Sequence, residues 1–362
     1  MLDYKPNIVL STKEYNTVGK RPARQDAYDK VTGKAKYGAD VNLPGLLHGK
    51  VLRSPHAHAR IVSIDASKAL ALPGVHAVIN GYDLPVLPGK VSEMPEGAMV
   101  NMGFWGQNVL AREKVLYKGH AIAALAADNA HLAEEALKLI EVVYEVLPHV
   151  STAAEAMKPG APILLERLGT INNPALRPGG LMDDDDPTPA SNVANEFEFV
   201  LGDVDAAFAN ADVVVEIETN TSPVHQGYIE PHSGTALWHD DGKITVWSSS
   251  QGHFMVREQV AKLANIPLSN VKAIPNEIGG GFGAKTMSYL EPLAAILAKK
   301  TNQPVKIVMS RSEVLQATGP TSGTNVKVKL GATNDGKLTA AHAVLIYEAG
   351  AFPGSPVSPA CQ

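Results

Sequence analysis

A glycine-rich octapeptide constrains this chain more than any other sequence feature: Ile278-Gly-Gly-Gly-Phe-Gly-Ala-Lys285. Glycine has no Cβ atom, so its backbone can approach a ligand closely and can adopt positive φ angles. The residues that follow, from Met287 to Lys299, have apolar side chains at helical spacing and predict a helix. The unpaired amides at a helix N-terminus favour an anion. The pattern therefore predicts a turn of accessible backbone that binds an anionic or phosphate-bearing cofactor.

The same octapeptide has two other interpretations. A run of glycines is often only a flexible surface turn. Gly279, Gly281 and Ala284 also satisfy the G-x-G-x-x-A fingerprint of dinucleotide-binding folds, in which Arg311 would suit the 2′-phosphate of NADP. The preceding segment, Val271 to Glu277, contains a proline, which removes a hydrogen-bond donor from a strand that such a fold buries. This proline disfavours the dinucleotide interpretation without excluding it.

Composition limits the classes of protein to which the chain can belong. Its 362 residues suffice for two or three domains, and a net charge of −5 without a long basic run argues against nucleic acid as a partner. The single cysteine, Cys361, excludes an internal disulfide framework and any iron–sulfur cluster held by this chain's cysteines alone. We see neither a secretory signal nor an apolar run of about 20 residues that would span a membrane. We therefore expect a cytoplasmic protein.

The distribution of periodic and proline-rich sequence predicts four segments. Residues 1–24 are polar and predict an extended arm. Residues 25–150 alternate short strands with helices, which indicates an α/β or α+β domain. Residues 151–195 contain six prolines and a run of four aspartates, which together predict a linker. Residues 196–362 form a second domain that contains the glycine-rich octapeptide.

Several secondary-structure elements of the first domain follow from local sequence. Lys34 to Tyr37 predicts a short strand, and the apolar run from Val115 to Ala127 predicts two strands separated by a tight turn. Asn129 is suited to cap a helix that extends to Ile140. Leu84 to Met102 is rich in proline, glycine and methionine, so we expect a loop there.

Two hairpins and a helix characterise the second domain. Each hairpin has a turn that ends in Asp-Gly, between two segments of β-branched and apolar residues. The first hairpin pairs Thr235 to Trp238 with Lys243 to Ser248, and the second pairs Val326 to Ala332 with Leu338 to Tyr347. The segment from Gly252 to Ala264 has helical spacing.

Taken together, four stretches resemble the molybdenum-cofactor subunit of the xanthine dehydrogenase and aldehyde oxidase family. The resemblance runs from about residue 20 to the C-terminus and implies an α+β fold. An N-terminal α/β-hammerhead domain would precede the first part of the molybdopterin-binding domain. The matching stretches are Asp29 to Tyr37 with Arg53 to Arg60, Lys114 to Ala124, Glu230 to His232 with Ser250-Gln251, and Gly279-Gly-Gly-Phe-Gly283.

The resemblance implies roles for residues in the last two stretches. In the family, the glutamine that Gln251 matches forms a hydrogen bond near the apical oxo ligand of molybdenum, and the Gly-Phe-Gly backbone lies against the metal and its dithiolene. Gln251 and Phe282 are therefore expected near molybdenum, although no residue of this chain is expected to ligate it. Four glycines are expected to form the cradle for molybdopterin or its dinucleotide form: Gly279, Gly280, Gly281 and Gly283.

The chain also departs from the family pattern. Xanthine-oxidising members carry a substrate-binding Glu after the residue that Lys285 matches, whereas this chain has Thr286, which disfavours a purine substrate. The family's subunit is much longer, and its catalytic Glu lies in the half that this chain does not match. Glu230 and Glu291 stand in a different sequence context, and we interpret both as structural. The resemblance thus implies no catalytic residue here and an isolated chain that is inactive.

The implied function is that of one portion of a molybdenum-dependent oxidoreductase in a heteromeric complex. With a partner chain that carries the C-terminal half, the enzyme would oxidise an aldehyde or an N-heteroaromatic substrate, or reduce an aromatic thioester. Electrons would pass to iron–sulfur clusters on a partner subunit, and often to FAD on another. The alternatives are a non-catalytic assembly or scaffold chain and an NADP-dependent oxidoreductase that uses the G-x-G-x-x-A turn.

Overall fold

A computed structural model of the chain describes residues 15–89, 91–95, 99–166, 171–172, 190–196 and 198–351. The chain divides into two compact units, of which the first ends at Lys36 and the second begins at Tyr37. In the first unit, residues 15–24 are exposed and contain no helix or strand, and helix α1 spans Ala27–Val31. The predicted strand from Lys34 to Tyr37 is wrong, because only an isolated bridge from Tyr37 to Glu277 forms there.

The described part of the second unit contains short helices and five sheets. Its strands are β1 (Leu47–Arg53), β2 (Ala59–Asp65), β3 (Val75–Asn80), β4 (Val91–Glu93), β5 (Met99–Asn101), β6 (Lys114–Val115), β7 (Ala121–Ala127), β8 (Glu141–Val146), β9 (Ile171–Asn172), β10 (Asn195–Glu196), β11 (Val213–Thr221), β12 (Ser233–Trp238), β13 (Ile244–Ser248), β14 (Val271–Pro275), β15 (Val305–Val308), β16 (Thr324–Ala332) and β17 (Leu338–Tyr347). Its helices are α2 (Ser67–Leu70), α3 (Met102–Val109), α4 (Ala130–Leu137), α5 (Ala153–Ala156), α6 (Val204–Ala209), α7 (His253–Ala264), α8 (Glu291–Thr301) and α9 (Arg311–Ala317).

A seven-stranded mixed sheet is the largest, with the strand order β14-β13-β12-β15-β1-β7-β3. Strands from both halves of the sequence meet in it, because β1 pairs in parallel with β15 from Leu47 opposite Val305 to Gly49 opposite Ile307. The mixture of parallel and antiparallel pairs with separate helices is the expected α+β class. The predicted linker at residues 151–195 and the domain boundaries on either side of it stay predictions.

Strand β7 is buried along its whole length because the sheet is covered on both faces. Ala124 and Ala126 lie in the main core with helices α7 and α8, whereas Leu125 and Ala127 lie in a second core with helix α4. A strand buried on both faces needs a continuous apolar run rather than an alternating one, which the sequence of β7 provides. Helix α8 is similarly enclosed, and every residue from Glu291 to Ala298 is buried.

Most of the predicted elements are confirmed. The two hairpins form as β12–β13 and β16–β17, and helix α7 covers the predicted segment. The side chain of Asn129 caps helix α4 by accepting a hydrogen bond from the amide of Leu132. The predicted loop from Leu84 to Met102 is wrong in its second half, where β4 and β5 form and helix α3 begins. Burial of Met94, Met102 and Trp105 in the main core overrides the loop-like composition.

Some predictions fall on parts of the chain that lie outside the described residues. These are most of the predicted arm, the aspartate run within the predicted linker, and Cys361. Among the residues that the structure does describe, no helix combines the length and the apolar character that crossing a membrane requires.

Candidate functional site

The glycine-rich octapeptide forms a loop between the edge strand β14 and helix α8. Three of its residues have positive φ: Gly280 at 97°, Phe282 at 52° and Gly283 at 92°. This conformation is easy for glycine but costs a residue with a Cβ atom about 1 kcal/mol or more. Phe282 nevertheless adopts it, and its side chain is 73% exposed. A strained backbone that presents an exposed aromatic ring is a feature typical of ligand-binding loops.

Gln251 lies against this loop and is held by it. Its Oε1 atom accepts hydrogen bonds from the amide of Gly283 at 2.9 Å and from the amide of Lys285 at 3.3 Å. The backbone amide of Gln251 donates to the carbonyl of Lys285 at 2.8 Å. Because two N–H groups point at Oε1, the amide orientation of the side chain is fixed, and the Nε2 group is directed elsewhere. Gln251 is exposed, and Nε2 has no partner among the described residues.

A buried ion pair between Glu230 and Lys285 connects the two ends of the loop. Oε2 of Glu230 accepts from the amide of Gly279 at 2.8 Å and from Nζ of Lys285 at 2.7 Å. Its other oxygen, Oε1, accepts from the amide of Gly38 at 3.3 Å. The Lys285 ammonium also lies 4.9 Å from the centroid of the Tyr228 ring, and burial lowers the pKa of Lys285. Both Glu230 oxygens are used within the chain, which agrees with its interpretation as structural.

A chain of buried polar side chains supports the loop from beneath. The hydroxyl of Tyr228 lies 2.9 Å from Nδ1 of His232 and 3.3 Å from Oγ1 of Thr318. Nε2 of His232 lies 3.3 Å from the carbonyl of Ala284, so His232 is neutral with its proton on Nε2. Burial lowers the pKa of His232 to about 3, which keeps the ring neutral at ordinary pH. His232 lies in one of the stretches that resemble the family, but no feature of the sequence predicted this hydrogen-bond network.

The four glycines are required for different reasons. A Cβ atom at Gly279 would lie 2.5 Å from Cβ of Glu230, and one at Gly281 would lie 2.3 Å from Oε1 of Gln251. Gly280 and Gly283 are needed for their positive φ, and a Cβ atom at Gly283 would meet nothing within 4 Å. Two glycines thus allow the loop to contact Glu230 and Gln251, while the surface beside Gly283 is open.

The expectation of unpaired amides throughout the loop is only partly correct. The amide of Gly279 donates to Glu230 and that of Gly283 donates to Gln251, so both are occupied within the chain. The amides of Gly280, Gly281 and Phe282 have no acceptor among the described residues. Three successive backbone donors and the Nε2 group of Gln251 therefore have no acceptor in the described part of the chain, with Gly281 buried and Phe282 exposed.

The expected position of the loop at a helix N-terminus is wrong. Helix α8 begins at Glu291, eight residues after Gly283, and its first turn is buried. Glu291 occupies this position itself: its carboxyl group accepts from the hydroxyl of Ser248 and from the amide of Leu290. Burial raises the pKa of Glu291, and both of its carboxyl oxygens have partners within the chain, which agrees with its interpretation as structural. The first turn of α8 is therefore enclosed within the fold and does not form part of the loop.

The topology also contradicts the dinucleotide-binding alternative. In that fold the strands on either side of the glycine turn and its helix belong to one parallel βαβ unit. Here β14 and β15 flank the loop and α8, but β13 and β12 lie between them in the sheet, and β12 pairs with β15 antiparallel. The fingerprint of Gly279, Gly281 and Ala284 is consequently a coincidence of spacing.

The site has no cluster of candidate metal ligands. Across the described ranges, no group of three or more His, Cys, Asp and Glu side chains is arranged to hold a metal ion. Thr286, which follows Lys285, donates its hydroxyl to the carbonyl of Gly283 at 2.9 Å. Its side chain thus stabilises the turn. The arrangement can supply hydrogen-bond donors and an aromatic surface, so it is suited to hold an anionic group.

Comparison with known proteins assigns these features to protein families. Residues 32–148 match the a/b hammerhead domain of aldehyde oxidase and xanthine dehydrogenase. Residues 186–362, which contain Gln251 and the glycine loop, match the molybdopterin cofactor-binding domain. The chain is 33% identical to the nicotinate dehydrogenase large molybdopterin subunit of Eubacterium barkeri, and the match covers 94% of this chain and 72% of that subunit.

Two further matches extend the comparison to longer proteins. The chain is 32% identical to a probable xanthine dehydrogenase subunit of Bacillus subtilis strain 168, over 91% of this chain and 40% of the relative. The solved structure of reconstituted CO dehydrogenase from Oligotropha carboxidovorans aligns with a TM-score of 0.75 at 33% identity, over 90% of this chain and 39% of that chain. The chain thus spans about two-fifths of the length of both.

These matches confirm the fold and the cofactor class that the sequence predicted. The E. barkeri subunit is matched over most of both chains at 33% identity, and both family domains occur in the expected order. The chain belongs to the xanthine dehydrogenase and aldehyde oxidase family of molybdenum-dependent oxidoreductases and contains that family's hammerhead and molybdopterin cofactor-binding domains.

Proposed function

We propose that this chain is the N-terminal portion of a molybdenum hydroxylase large subunit, in which Gln251 and residues 279–283 bind the molybdopterin cofactor. The observation that carries the proposal is the fixed orientation of Gln251. Two loop amides hold its Oε1 atom, so the Nε2 group of this exposed residue has two donors without a partner in the described part of the chain. An amide donor in this position suits an oxo ligand, which is a hydrogen-bond acceptor.

The glycine loop fits the remainder of an anionic cofactor. Gly280, Gly281 and Phe282 offer three amides that have no acceptor in the described part of the chain. The open surface beside Gly283 allows close approach of a planar group. When bound, the cofactor supplies the redox chemistry, while this chain supplies hydrogen-bond donors and a rigid backbone surface. Gly279, Gly280, Gly281 and Gly283 would form the cradle, and Phe282 and Gln251 would lie at the molybdenum end.

Exposed apolar side chains favour a site that is completed by a cofactor and by another polypeptide. Phe282 in the loop is 73% exposed. Phe254 in helix α7, shortly after Gln251, is 68% exposed, and Ile229, directly before Glu230, is 88% exposed. Large apolar side chains with such exposure are typical of surfaces that contact a ligand or a partner. We propose that the cofactor and a polypeptide carrying the rest of the large subunit, including the catalytic Glu, cover them.

The complete enzyme is proposed to oxidise an aldehyde or an N-heteroaromatic compound, or to reduce an aromatic thioester. One of the relatives is named for nicotinate, an N-heteroaromatic compound that is not a purine. Thr286 lacks the carboxylate that would recognise a purine, so a substrate other than a purine is favoured. An iron–sulfur subunit, and often an FAD subunit, would accept the electrons, and the complex would reside in the cytoplasm.

The proposal is tested on the complex purified from its natural host through a tag on this chain. We expect molybdenum and pterin in the wild-type complex. Gln251→Ala should lower both by about tenfold or more, because a hydrogen bond to a charged group contributes about 1.5–3 kcal/mol. Gln316→Ala, which changes an exposed glutamine of helix α9, serves as the matched control and should leave both contents unchanged.

Two outcomes would overturn the proposal. An active complex that contains neither molybdenum nor tungsten would exclude the function altogether. A complex in which Gln251→Ala and Gln316→Ala retain equal amounts of pterin would remove Gln251 from the site. A stable complex without metal or activity would instead favour a non-catalytic assembly or scaffold chain.

A further inference from the structure

The three-stranded sheet of β11, β16 and β17 has two chemically different faces. Strand β11 pairs with β16 antiparallel from Val213 opposite Ala332 to Thr221 opposite Thr324. Because side chains alternate between the faces along each strand, the pairing register assigns every residue to one of them. One face is apolar across the sheet and carries Val213, Val215, Ile217, Val328, Leu330 and Leu345.

The apolar face is exposed to solvent, although the residues of β11 on the polar face are exposed as well. Val215 and Ile217 are 60% and 58% exposed, and Leu345 on the opposite edge is 52% exposed. On a sheet with one free face, the apolar side normally packs on a core and the polar side faces water. Here the described residues leave the apolar side in contact with solvent, and exposed apolar surfaces of this kind are typical of interaction sites.

The other face of the sheet is polar and already has its contacts. Nζ of Lys327 lies 2.9 Å from Glu216, and the Lys329 ammonium lies 4.7 Å from the centroid of the Phe208 ring. A Cβ atom at Gly331 would meet Ala211 and Phe208 at 3.0 and 3.2 Å, so helix α6 packs on this side. The register therefore leaves no alternative in which the apolar residues are covered by α6.

Both edges of this sheet are long and open. Strands β11 and β17 have nine and ten residues, and within the described part of the chain each pairs only with β16. Proteins usually shorten, charge or cover such edges, because they promote association with other strands. Open edges beside an exposed apolar face are consistent with a surface that is covered in the complete subunit.

We propose that the apolar face of the β11–β16–β17 sheet binds the polypeptide that corresponds to the rest of the large subunit. The inference rests on the proposed function. More than half of the length of the B. subtilis relative and of the CO dehydrogenase chain lies outside the match, so each of them has a large segment that could cover this surface. Residues 352–362, which follow β17, are few and include three prolines, so they are poorly suited to cover three strands.

Site-specific cross-linking tests the occupant of the surface directly. A photoreactive phenylalanine analogue is introduced at Ile217 on the apolar face, or at Glu218 on the polar face, in the chain expressed in its natural host. Cross-linked peptides from the purified complex are then identified by mass spectrometry. We expect Ile217 to capture peptides whose sequence aligns with the unmatched region of the relatives, at a yield at least about tenfold above Glu218.

A matched pair of substitutions tests the contribution of the face to assembly. Val215 and Val214 are adjacent residues of β11 on opposite faces, 60% and 45% exposed. Val215→Lys should reduce the amount of the polypeptide corresponding to the rest of the large subunit in the purified complex about tenfold or more. The reason is that its binding would bury the lysine ammonium against apolar side chains. Val214→Lys should change it less than about twofold, and the thermal midpoints of the two isolated variants should be equal.

Cross-links from Ile217 to a second copy of this chain, to residues 352–362 or to an iron–sulfur subunit would overturn the inference, as would equal effects of Val215→Lys and Val214→Lys. Failure of the proposed function has a different signature. In that case the wild-type complex would lack molybdenum and pterin, whatever the cross-linking pattern. A complex that contains both, but gives no Ile217 cross-link to the expected polypeptide, would reject the docking surface alone.

Discussion

Nζ of Lys285 lies 2.7 Å from Oε2 of Glu230, and this ion pair closes the glycine loop at its base. The same carboxylate oxygen accepts from the amide of Gly279, so one atom connects the first glycine to the last residue of the loop. The Lys285 side chain is fully buried and that of Glu230 is 10% exposed. The conformation of the loop therefore depends on a charge pair that solvent does not screen.

Replacing Glu230 with Gln should destabilise the protein and loosen the loop. The buried Lys285 ammonium would lose its counter-charge, which typically costs about 3–5 kcal/mol. We expect a lower thermal midpoint in the purified chain and a corresponding loss of pterin from the complex. Both are measurable, by scanning fluorimetry and by pterin extraction.

Two controls separate the buried pair from a general effect of charge. Asp241→Asn breaks an exposed ion pair with Lys243, and such pairs contribute at most about 1 kcal/mol. Glu230→Gln combined with Lys285→Met should be less destabilising than Glu230→Gln alone, because no unpaired charge is then buried. If Glu230→Gln and Asp241→Asn shift the midpoint equally, the pair does not organise the loop.

Replacing Gly281 with Ala should act through Gln251. The new Cβ atom would lie 2.3 Å from Oε1 of Gln251, so this flexible side chain must move and give up its bonds to Gly283 and Lys285. We expect a loss of about 1–3 kcal/mol in the free energy of unfolding. The double variant Gly281→Ala, Gln251→Ala should cost little more than Gln251→Ala, because the clash is then absent.

Denaturant titration of the single and double variants measures this coupling. Gly283→Ala is the control: its added Cβ atom meets nothing within 4 Å but is strained by a φ of 92°. It should cost about 1 kcal/mol whether or not Gln251 is present. Additive effects of Gly281→Ala and Gln251→Ala on the free energy of unfolding would show that Gly281→Ala does not act by displacing the Gln251 side chain.

Local sequence predicted much of this fold because its signals coincide with the tertiary contacts. The Asp-Gly turns of both hairpins and the cap at Asn129 determine their elements through nearby backbone atoms. Helix α3 was missed because its signal is not local: Trp105 is helical where it fills the main core, although its sequence neighbours favour a loop.

The candidate site was predicted in its parts but not in its arrangement. Glycine spacing indicated the loop, and a family resemblance indicated Gln251. The contact of Gln251 with Gly283 and the ion pair of Lys285 with Glu230 join residues that are more than 30 positions apart in the sequence. No periodicity or short motif encodes such contacts, because they arise only when β12, β13 and the loop assemble.

Replacing Glu291 with Gln should change how stability depends on pH. Burial raises the pKa of Glu291 above its ordinary value of 4.5, so the folded chain retains a proton that the unfolded chain releases. The contribution of Glu291 to stability is full below pH 4.5 and is lost as the pH rises through the folded-state pKa. Urea midpoints from about pH 5 to about pH 8 should therefore fall more steeply for wild type than for Glu291→Gln. Glu135→Gln, on the exposed side of helix α4, should behave as wild type.

Replacing His120 with Asn should make the protein less sensitive to acid. Nδ1 of His120 accepts from the amide of Leu116 at 3.2 Å, and Nε2 lies 2.9 Å from the carbonyl of Gln107, so the neutral ring uses both nitrogens. Burial lowers the pKa of His120 from 6.5 to about 4. As the pH falls from about 6.5 to about 4, His120 binds a proton in the unfolded chain but not in the folded chain, so the free energy of unfolding decreases.

The difference of about 2.5 pH units corresponds to a loss of about 3 kcal/mol from His120. His120→Asn should be less stable than wild type at pH 7, yet its free energy of unfolding should decline less between about pH 6.5 and about pH 4. Part of the decline should remain, because the pKa of His232 is lowered as well, to about 3. His131→Asn, in an exposed position of helix α4, should retain the full wild-type slope. If the His120 variant retains it too, protonation of His120 does not limit stability in acid.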